Sequence, residues 1–502
     1  MKKFFMPVLL LGVMFTSCSE DDEIKEVEVV EEVETPKERR NLEVEEFMFA
    51  VMDEIYLYEA DVPQLQTGFF STEEKKLDYL ESFSDPEDLY YDLVAEHDEF
   101  SFMTEDYVAL NKLLTEGVSG TTGMDYGLAY FSNSSNIFGY VRYVMPNSPA
   151  EEAGVKRGDF FTEIDGVQMT ASNYQGLLGK ASFSMTIYEL AGNSLSPTDK
   201  TVNLTKVEMA EDPILTHKIF ETEGQRIGYI MYNSFTPTFD DELNAVFGEF
   251  KSAGITDLIL DFRYNGGGNV ETAIDIASMI TGQFNDQVIL QYQYNKLYQE
   301  YYQTYYPNSL KIKFNNKIRT GEATNSLNLS RVHVITTRSS ASASELVIHA
   351  LKPYIDVVQI GGPTRGKFQA SSTFYDSPNF SYRNDKGEVH VNKNHNYALQ
   401  PLIVKYANKN GESDFVDGLF PDVAASDELG NRDPLGDPSE PMLEVALNYI
   451  LGKAQEPATA MQKKMENGEI KTIGESDMFK PNYQRMYLED QNIPIMIPSE
   501  MK

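Results

Sequence analysis

The sequence predicts a multidomain α/β protein: a helical N-terminal domain, a β-rich middle and a larger layered α/β core. Three observations lead there. Apolar residues return at three- and four-residue steps over 42–58, short alternating runs separated by glycine turns fill 120–210, and strand-length and helix-length apolar segments alternate over 226–430. The 502 residues suffice for about three domains, and 41% apolar residues, with 12% aromatic, are ample for packed cores.

The N-terminal segment comes first. Met1–Cys18 reads MKKFFMPVLLLGVMFTSC, with Lys2 and Lys3 as a positive start and Phe4–Phe15 as an apolar run too short to remain in a bilayer. Thr16 and Ser17 are small residues directly before Cys18. This resembles a bacterial lipoprotein signal, with Phe15 standing where such signals usually carry Leu; an ordinary cleaved secretory signal is the alternative. The resemblance implies that residues 1–17 are removed and Cys18 is lipidated. It further implies an exported protein, lipid-anchored to the bacterial outer membrane on its periplasmic or cell-surface face. Two acyl chains give stable anchoring at about 0.8 kcal/mol per buried CH₂. Cys18 is the single cysteine, which excludes an internal disulfide and any Cys-rich zinc or iron–sulfur scheme. Residues 18–41 read as an acidic tether, since 19–46 carry 13 acids against the four bases Lys25, Lys37, Arg39 and Arg40. Over the whole chain 42 basic and 78 acidic residues give a net charge of −36, which repels phosphate backbones and excludes nucleic acid as a partner.

Residues 42–115 form the helical domain. Val44, Phe47, Met48, Val51, Ile55 and Tyr58 mark an amphipathic helix, followed by helical stretches over 72–83 and 86–96. The aromatic stripe Phe47, Tyr56 and Tyr58 reads as core. Over 116–210 the order is a strand at Tyr126–Tyr130, a strand at Tyr140–Val144, Ser148-Pro-Ala150, Ala153-Gly-Val155, Arg157-Gly-Asp159 and Glu163-Ile-Asp-Gly-Val167. That order resembles a PDZ domain, which captures an extended peptide by strand addition and cradles its carboxylate on backbone N–H groups. The resemblance makes Tyr126, Gly127, Leu128 and Ala129 the carboxylate-binding loop.

Residues 211–453 form the α/β core, with strands expected at 227–235, 257–263, 288–294, 331–337, 356–361 and 401–406. Helices are expected at 239–253, 269–281, 344–352 and 442–453. The stretch 303–330 has little pattern and reads as an insertion, and residues 454–502 as a polar tail.

Three segments carry candidate chemistry. Asp261-Phe-Arg263-Tyr-Asn265-Gly-Gly267-Gly268-Asn269 runs a strand into a helix through glycines, which leaves backbone N–H groups open to a substrate oxygen; a tight turn would explain it equally. Ser340-Ala-Ser342-Ala343-Ser344-Glu345 opens a helix directly after a strand. Ser342 and Glu345 satisfy a capping box, while the small neighbours are what an approachable nucleophile needs. A serine hydroxyl must lose its proton to a neighbouring base. Of the six histidines (His97, His217, His333, His349, His390, His395), His349 shares the serine's helix, seven positions and roughly 10 Å away. No Gly-x-Ser-x-Gly elbow occurs, so conventional Ser-His-Asp chemistry is disfavoured. Lys367, in Gly361-Gly-Pro-Thr-Arg-Gly366-Lys367, follows the next strand and can return to the same sheet end; burial must lower its pKa for it to act as a base. The Gly-x4-Gly-Lys spacing imitates a P-loop, but Phe368 replaces Ser/Thr and 369–374 reads as strand rather than helix.

In order, these segments resemble the S41 serine peptidases, the C-terminal processing or tail-specific proteases. The match lies in Asp261, Arg263, Asn265, Gly267 and Gly268, in Ser340–Glu345, and in Gly366-Lys367. The residue pattern alone leaves Ser340, Ser342 and Ser344 open. The resemblance implies that Ser342 is the nucleophile and Lys367 its base, with an oxyanion hole from Ala343 and the pair Gly267 and Gly268, most of all Gly267. It also implies a core of the ClpP/crotonase-like type and chemistry needing no metal or organic cofactor. Two positions depart from the pattern. Ser371 stands where many relatives carry a lysine-orienting Gln, and Gln369 lies two residues earlier on what would be the same strand face, so both are base-orienting candidates. Pro353 stands where some members carry an acid. The expected function is a serine endopeptidase cleaving exported proteins or peptides near their C-termini through an acyl-enzyme. The alternatives are a non-catalytic PDZ-type peptide-binding lipoprotein and a hydrolase of non-peptide acyl groups.

Overall fold

The computed structural model describes residues 39–191, 194–427, 429–453, 471–489 and 497. The expected signal, Cys18 and all but the last residues of the tether lie outside them.

The N-terminal helices form where the apolar period places them, at Glu43–Ile55, Glu73–Glu81 and Pro86–Asp92. Thr72 caps the second by accepting the Lys75 N–H, and Asp85 caps the third, which has Pro86 at its first position. Phe47, Met48, Val51, Met52 and Ile55 do not close a core of their own. They belong to one continuous apolar cluster with Phe247, Leu346 and Val404 of the α/β core, so the helices are a wall of the larger unit. A fourth helix, Tyr107–Glu116, was not anticipated; Asp106 caps its start and Gly117, at φ 68°, ends it.

The middle region has its own core, built on Leu128, Ile137, Val141, Phe161 and Met185. Its sheet runs in the spatial order 472–475, 124–130, 137–144, 160–161, 182–191, 163–164, 167–168. Its outermost strand, Thr472–Glu475, belongs to the chain's C-terminal region, where the sequence pattern shows only a polar tail. A long hairpin, Ser182–Ala191 with Ser194–Thr205, was likewise not foreseen.

The α/β core contains a six-stranded sheet in the order 214–222, 225–232, 257–261, 331–336, 356–361, 423–424, parallel apart from its first strand. Its strands are apolar on both faces: Ile230, Leu258, Leu260 and Val334 enter the main cluster, while Tyr229, Ile259, Ile335 and Ile360 pack on the helix Pro441–Ile450. This accounts for their continuous apolar runs. A second sheet orders 268–269, 486–488, 369–372, 402–408, 288–294, 311–313. The expected insertion is partly regular, with a helix at Lys296–Tyr305 and a strand at Lys311–Lys313. Among the described residues no helix is long and apolar enough to cross a membrane.

Candidate active site

All three candidate segments leave the C-terminal ends of neighbouring parallel strands: Asp257–Asp261, Arg331–Thr336 and Asp356–Gly361. Ligands of open α/β sheets gather at that end. The first segment is fastened from beneath. Arg263 is fully buried, with Nη2 donating to Asp261 Oδ2 at 2.6 Å and Nη1 to Glu440 Oε1 at 2.6 Å; the Tyr229 hydroxyl completes the cluster on Asp261 at 2.9 Å. A charge buried so completely is tolerable only when paired, so the Asp-x-Arg part of the motif is structural. Asn265 then shapes the turn: its Nδ2 donates to the Tyr232 carbonyl at 2.8 Å, and its Oδ1 accepts the Gly267 N–H at 2.9 Å. Gly267 and Gly268 hold φ of 113° and 136°. A Cβ on Gly267 would lie 2.8 Å from the Ser342 Cβ and 2.9 Å from the Arg485 carbonyl oxygen. Glycine is required on both counts.

The second segment separates its three serines. The Ser340 hydroxyl donates to the Phe262 carbonyl at 2.8 Å and the Ser344 hydroxyl to the Asn265 carbonyl at 3.0 Å. Both stitch the serine loop to the glycine loop. The Ser342 hydroxyl, fully buried, has no hydrogen-bond partner among the described residues. Ser342 also has φ 63° and ψ −111°, a strained conformation for a residue with a Cβ. This is a sharp strand-to-helix elbow without the Gly-x-Ser-x-Gly signature by which such turns are read from sequence. Ser342 and Glu345 occupy the capping-box positions of the helix, with Glu345 Oε2 accepting the Ser342 N–H at 2.7 Å.

Glu345 joins this segment to the third. Its Oε2 also accepts the Lys367 N–H at 2.9 Å, and its Oε1 accepts the Gly366 N–H at 2.7 Å and the Thr364 hydroxyl at 2.6 Å. The Ser342 and Lys367 amides thus converge on one carboxylate oxygen. Burial raises the Glu345 pKa, and these four donors oppose the rise. The local Ser-x-x-Glu pattern marks Glu345 only as a capping residue; its role as the joint between the two loops depends on contacts 19–22 residues away.

Lys367 is fully buried, and its Nζ has no hydrogen-bond partner among the described residues. Burial, and next the positive charge of Arg485, hold its pKa well below the usual lysine value. Nζ lies 4.9 Å from the centroid of the Phe100 ring. Phe100 comes from the loop before the strand Phe102–Thr104, where Asp98 accepts the Phe100 and Ser101 N–H groups at 2.8 and 2.9 Å. No motif pointed to Phe100, because its approach to Lys367 spans more than 260 residues of chain.

The base-orienting expectation is corrected. Gln369 Nε2 donates to the Tyr58 hydroxyl at 2.8 Å, and the Ser371 hydroxyl donates to Gln400 Oε1 at 2.7 Å. Neither touches the lysine nitrogen. The regular strand begins only at Gln369, so Lys367 sits in the preceding loop and the shared-face argument does not reach it. His349 bonds to the Glu412 carbonyl at 2.9 Å and His395 to Asp376 at 3.0 Å, so neither is engaged with the serine. Of the expected oxyanion donors, the Ala343 N–H stands at the first position of the helix Ala343–Leu351, where no intrahelical acceptor exists. Gly267 adjoins the serine, but its N–H is presently donated to Asn265. Gly268 lies in a two-residue strand beside Met486.

The expected carboxylate loop is also corrected. Tyr126, Gly127, Leu128 and Ala129 lie within the strand Met124–Tyr130, paired on one side with 137–144 and on the other with 472–475. Gly127 is obligatory there, since a Cβ would meet the Tyr140 ring at 2.3 Å. Among the described residues no cluster of His, Cys, Asp and Glu could hold a metal ion.

Comparison with known proteins agrees with this architecture. Residues 226–424 match Peptidase family S41, residues 43–102 the Peptidase S41 N-terminal domain, and residues 140–188 a PDZ domain. The carboxyl-terminal-processing protease of a Picosynechococcus strain is 27% identical over 237 residues, covering 46% of this chain and 51% of that protein. The protein of the same description from a Synechocystis strain is 23% identical over 312 residues, covering 61% and 64%. The chain thus spans about half the length of the first of these relatives. A crystal structure of a candidate S41 protease from Bacteroides fragilis shares the fold, with a TM-score of 0.62 and 24% identity over 83% of this chain and 99% of that one.

Proposed function

Because the chain belongs to peptidase family S41, we propose that it is a serine endopeptidase that cleaves exported proteins or peptides near their C-termini. Ser342 is the nucleophile and Lys367 the general base. One observation carries this reading: a strained serine whose hydroxyl is unspent and a buried lysine whose amine is unspent hang from the same Glu345 carboxylate oxygen.

In the proposed reaction the neutral Lys367 Nζ takes the Ser342 Oγ proton as Oγ bonds to the scissile carbonyl carbon. The carbonyl oxygen becomes an oxyanion, received by the Ala343 N–H and, once it exchanges Asn265 Oδ1 for substrate, the Gly267 N–H. Collapse breaks the C–N bond, and the Lys367 ammonium returns its proton to the departing amine. Water then attacks the acyl ester with Lys367 again accepting a proton; the acid is released and Ser342 regains its hydrogen. The Ser342→Ala protein is expected to fold with an unchanged unfolding midpoint and to lose peptide cleavage entirely. Turnover surviving that change would remove the assignment. A non-catalytic peptide binder is not favoured, since such a protein would have no use for a desolvated lysine and an unpartnered hydroxyl on two loops tied to one carboxylate.

The reading includes a lipid anchor on Cys18, supported by the Lys-Lys start, the short apolar run and the acidic stretch after the cysteine. Mass spectrometry of the mature protein is expected to find an acylated Cys18 at its N-terminus, and Cys18→Ala to release the protein from the membrane fraction. An unmodified N-terminus at another residue would refute it.

A further inference from the structure

A PDZ domain binds by adding a peptide strand to a free sheet edge, yet the edge of this domain's sheet beside 124–130 is taken. The strand Met124–Tyr130 pairs antiparallel with the chain's own Thr472–Glu475, with Ala129 opposite Thr472, Leu128 opposite Gly474 and Gly127 opposite Glu475. The Tyr130 N–H donates to the Lys471 carbonyl at 2.9 Å, and the Ser476 hydroxyl bonds to Asp125. Ile473 and Met478 pack against the domain's core cluster, which includes Leu128, Leu178 and Phe183.

The segment also supplies a charge. Glu475 Oε2 accepts Arg142 Nη1 at 2.5 Å and the Ser339 hydroxyl, and its Oε1 accepts the Tyr483 hydroxyl at 2.7 Å. Arg142 lies on the next strand of the same sheet and is buried; its Nη2 donates to Ser339 Oγ at 3.2 Å, and Asp125 stands 3.8 Å from Nη1. Ser339 is three residues before the nucleophile. The contacts made by residues 471–479 are therefore those a bound peptide would make: a strand on the edge, apolar side chains in the groove and a carboxylate on a buried arginine.

We propose that residues 471–479 are a resident ligand of the PDZ-like groove, and that a substrate enters by exchange with them. The incoming segment is an extended peptide that takes the 124–130 edge. Its apolar side chains replace Ile473 and Met478, and its carboxylate replaces Glu475 on Arg142. The strand Met486–Leu488 lies between two others and is not part of the exchange. The peptidase reading gives the exchange its purpose, but binding can be measured without turnover.

The test uses the full chain carrying Ser342→Ala and a fluorescent peptide of sequence KTIGESDMF, that of residues 471–479, read by anisotropy. When a site is occupied in cis, apparent affinity falls by the fraction of molecules that are open. The parent is expected to bind weakly. The double change Ile473→Asp and Met478→Asp is expected to bind at least tenfold more tightly, and a peptide with Gln in place of its Glu to bind at least tenfold more weakly than the original. Equal affinity in parent and variant, with the unfolding midpoint retained, would overturn the proposal. A staple covers the case in which the variant does not fold: Ala129→Cys with Thr472→Cys joins opposed positions. The oxidised protein should exclude the peptide and reductant should restore binding in the same sample; equal binding before and after reduction would overturn the proposal. Either result stands apart from whether Ser342 cleaves anything.

Discussion

A primary amine acts as a base near neutral pH only where its charged form has been made unfavourable, and for Lys367 the causes are local. The side chain is enclosed, Phe100 shields Nζ, and Arg485 adds repulsion. The reactive species is the neutral amine, so acylation is expected to rise with pH through the depressed pKa. It should level off well below pH 10.5, the ordinary lysine value. Phe100→Ala opens the site to water and favours the ammonium, which moves the rising limb to higher pH and leaves the plateau largely intact. Stopped-flow acylation with an activated ester across pH checks both; an unshifted limb would show that the ring does not set the basicity. At this scale the sequence was partly legible. Ser342 and Lys367 stood in recognisable strings, but Phe100, Glu345 as the joint, and the failure of Gln369 and Ser371 to reach the lysine depend on contacts that no local pattern encodes.

The regular elements of the core were the legible part, because both faces of its parallel strands are buried and their apolar runs are continuous. The strands Arg331–Thr336 and Asp356–Gly361 fall where the pattern sets them. The C-terminal strands were not legible. Met486–Leu488 has three residues, too few for a period, and its partners at 268–269 and 371–372 are more than 110 residues away. It is nevertheless a structural member: Met486, Tyr487 and Leu488 are buried, and the Tyr487 hydroxyl bonds to the Leu114 carbonyl. Met486→Ala should therefore cost about 2–5 kcal/mol of stability, the range for emptying a buried Met site. Denaturant unfolding monitored by circular dichroism reads the value, and a loss below about 0.5 kcal/mol, typical of surface changes, would mean that the second sheet holds without this strand.

At the scale of the molecule the dominant fact is enclosure. Ser342 and Lys367 have no exposed surface, and what lies over them comes from regions distant in sequence. Phe100 arrives from the N-terminal wall, while Arg485 binds the Phe100 carbonyl at 2.6 Å and Gln484 accepts from Arg365 at 3.1 Å. A substrate backbone cannot reach the serine until some of these contacts part, so an opening step must precede acylation. That order has a kinetic signature. If opening is required, covalent labelling of Ser342 by a small serine-directed reagent obeys a pre-equilibrium, and at high reagent concentration the rate reaches a ceiling set by the opening rate alone. Labelling should therefore saturate, and two reagents of different intrinsic reactivity should converge on the same ceiling. A rate that climbs in proportion to reagent up to its solubility limit, or ceilings that differ between reagents, would show that the enclosure imposes no barrier. The decisive comparison is made on one preparation at one pH, because protonation of Lys367 would lower both reagents' rates before saturation without altering the opening step.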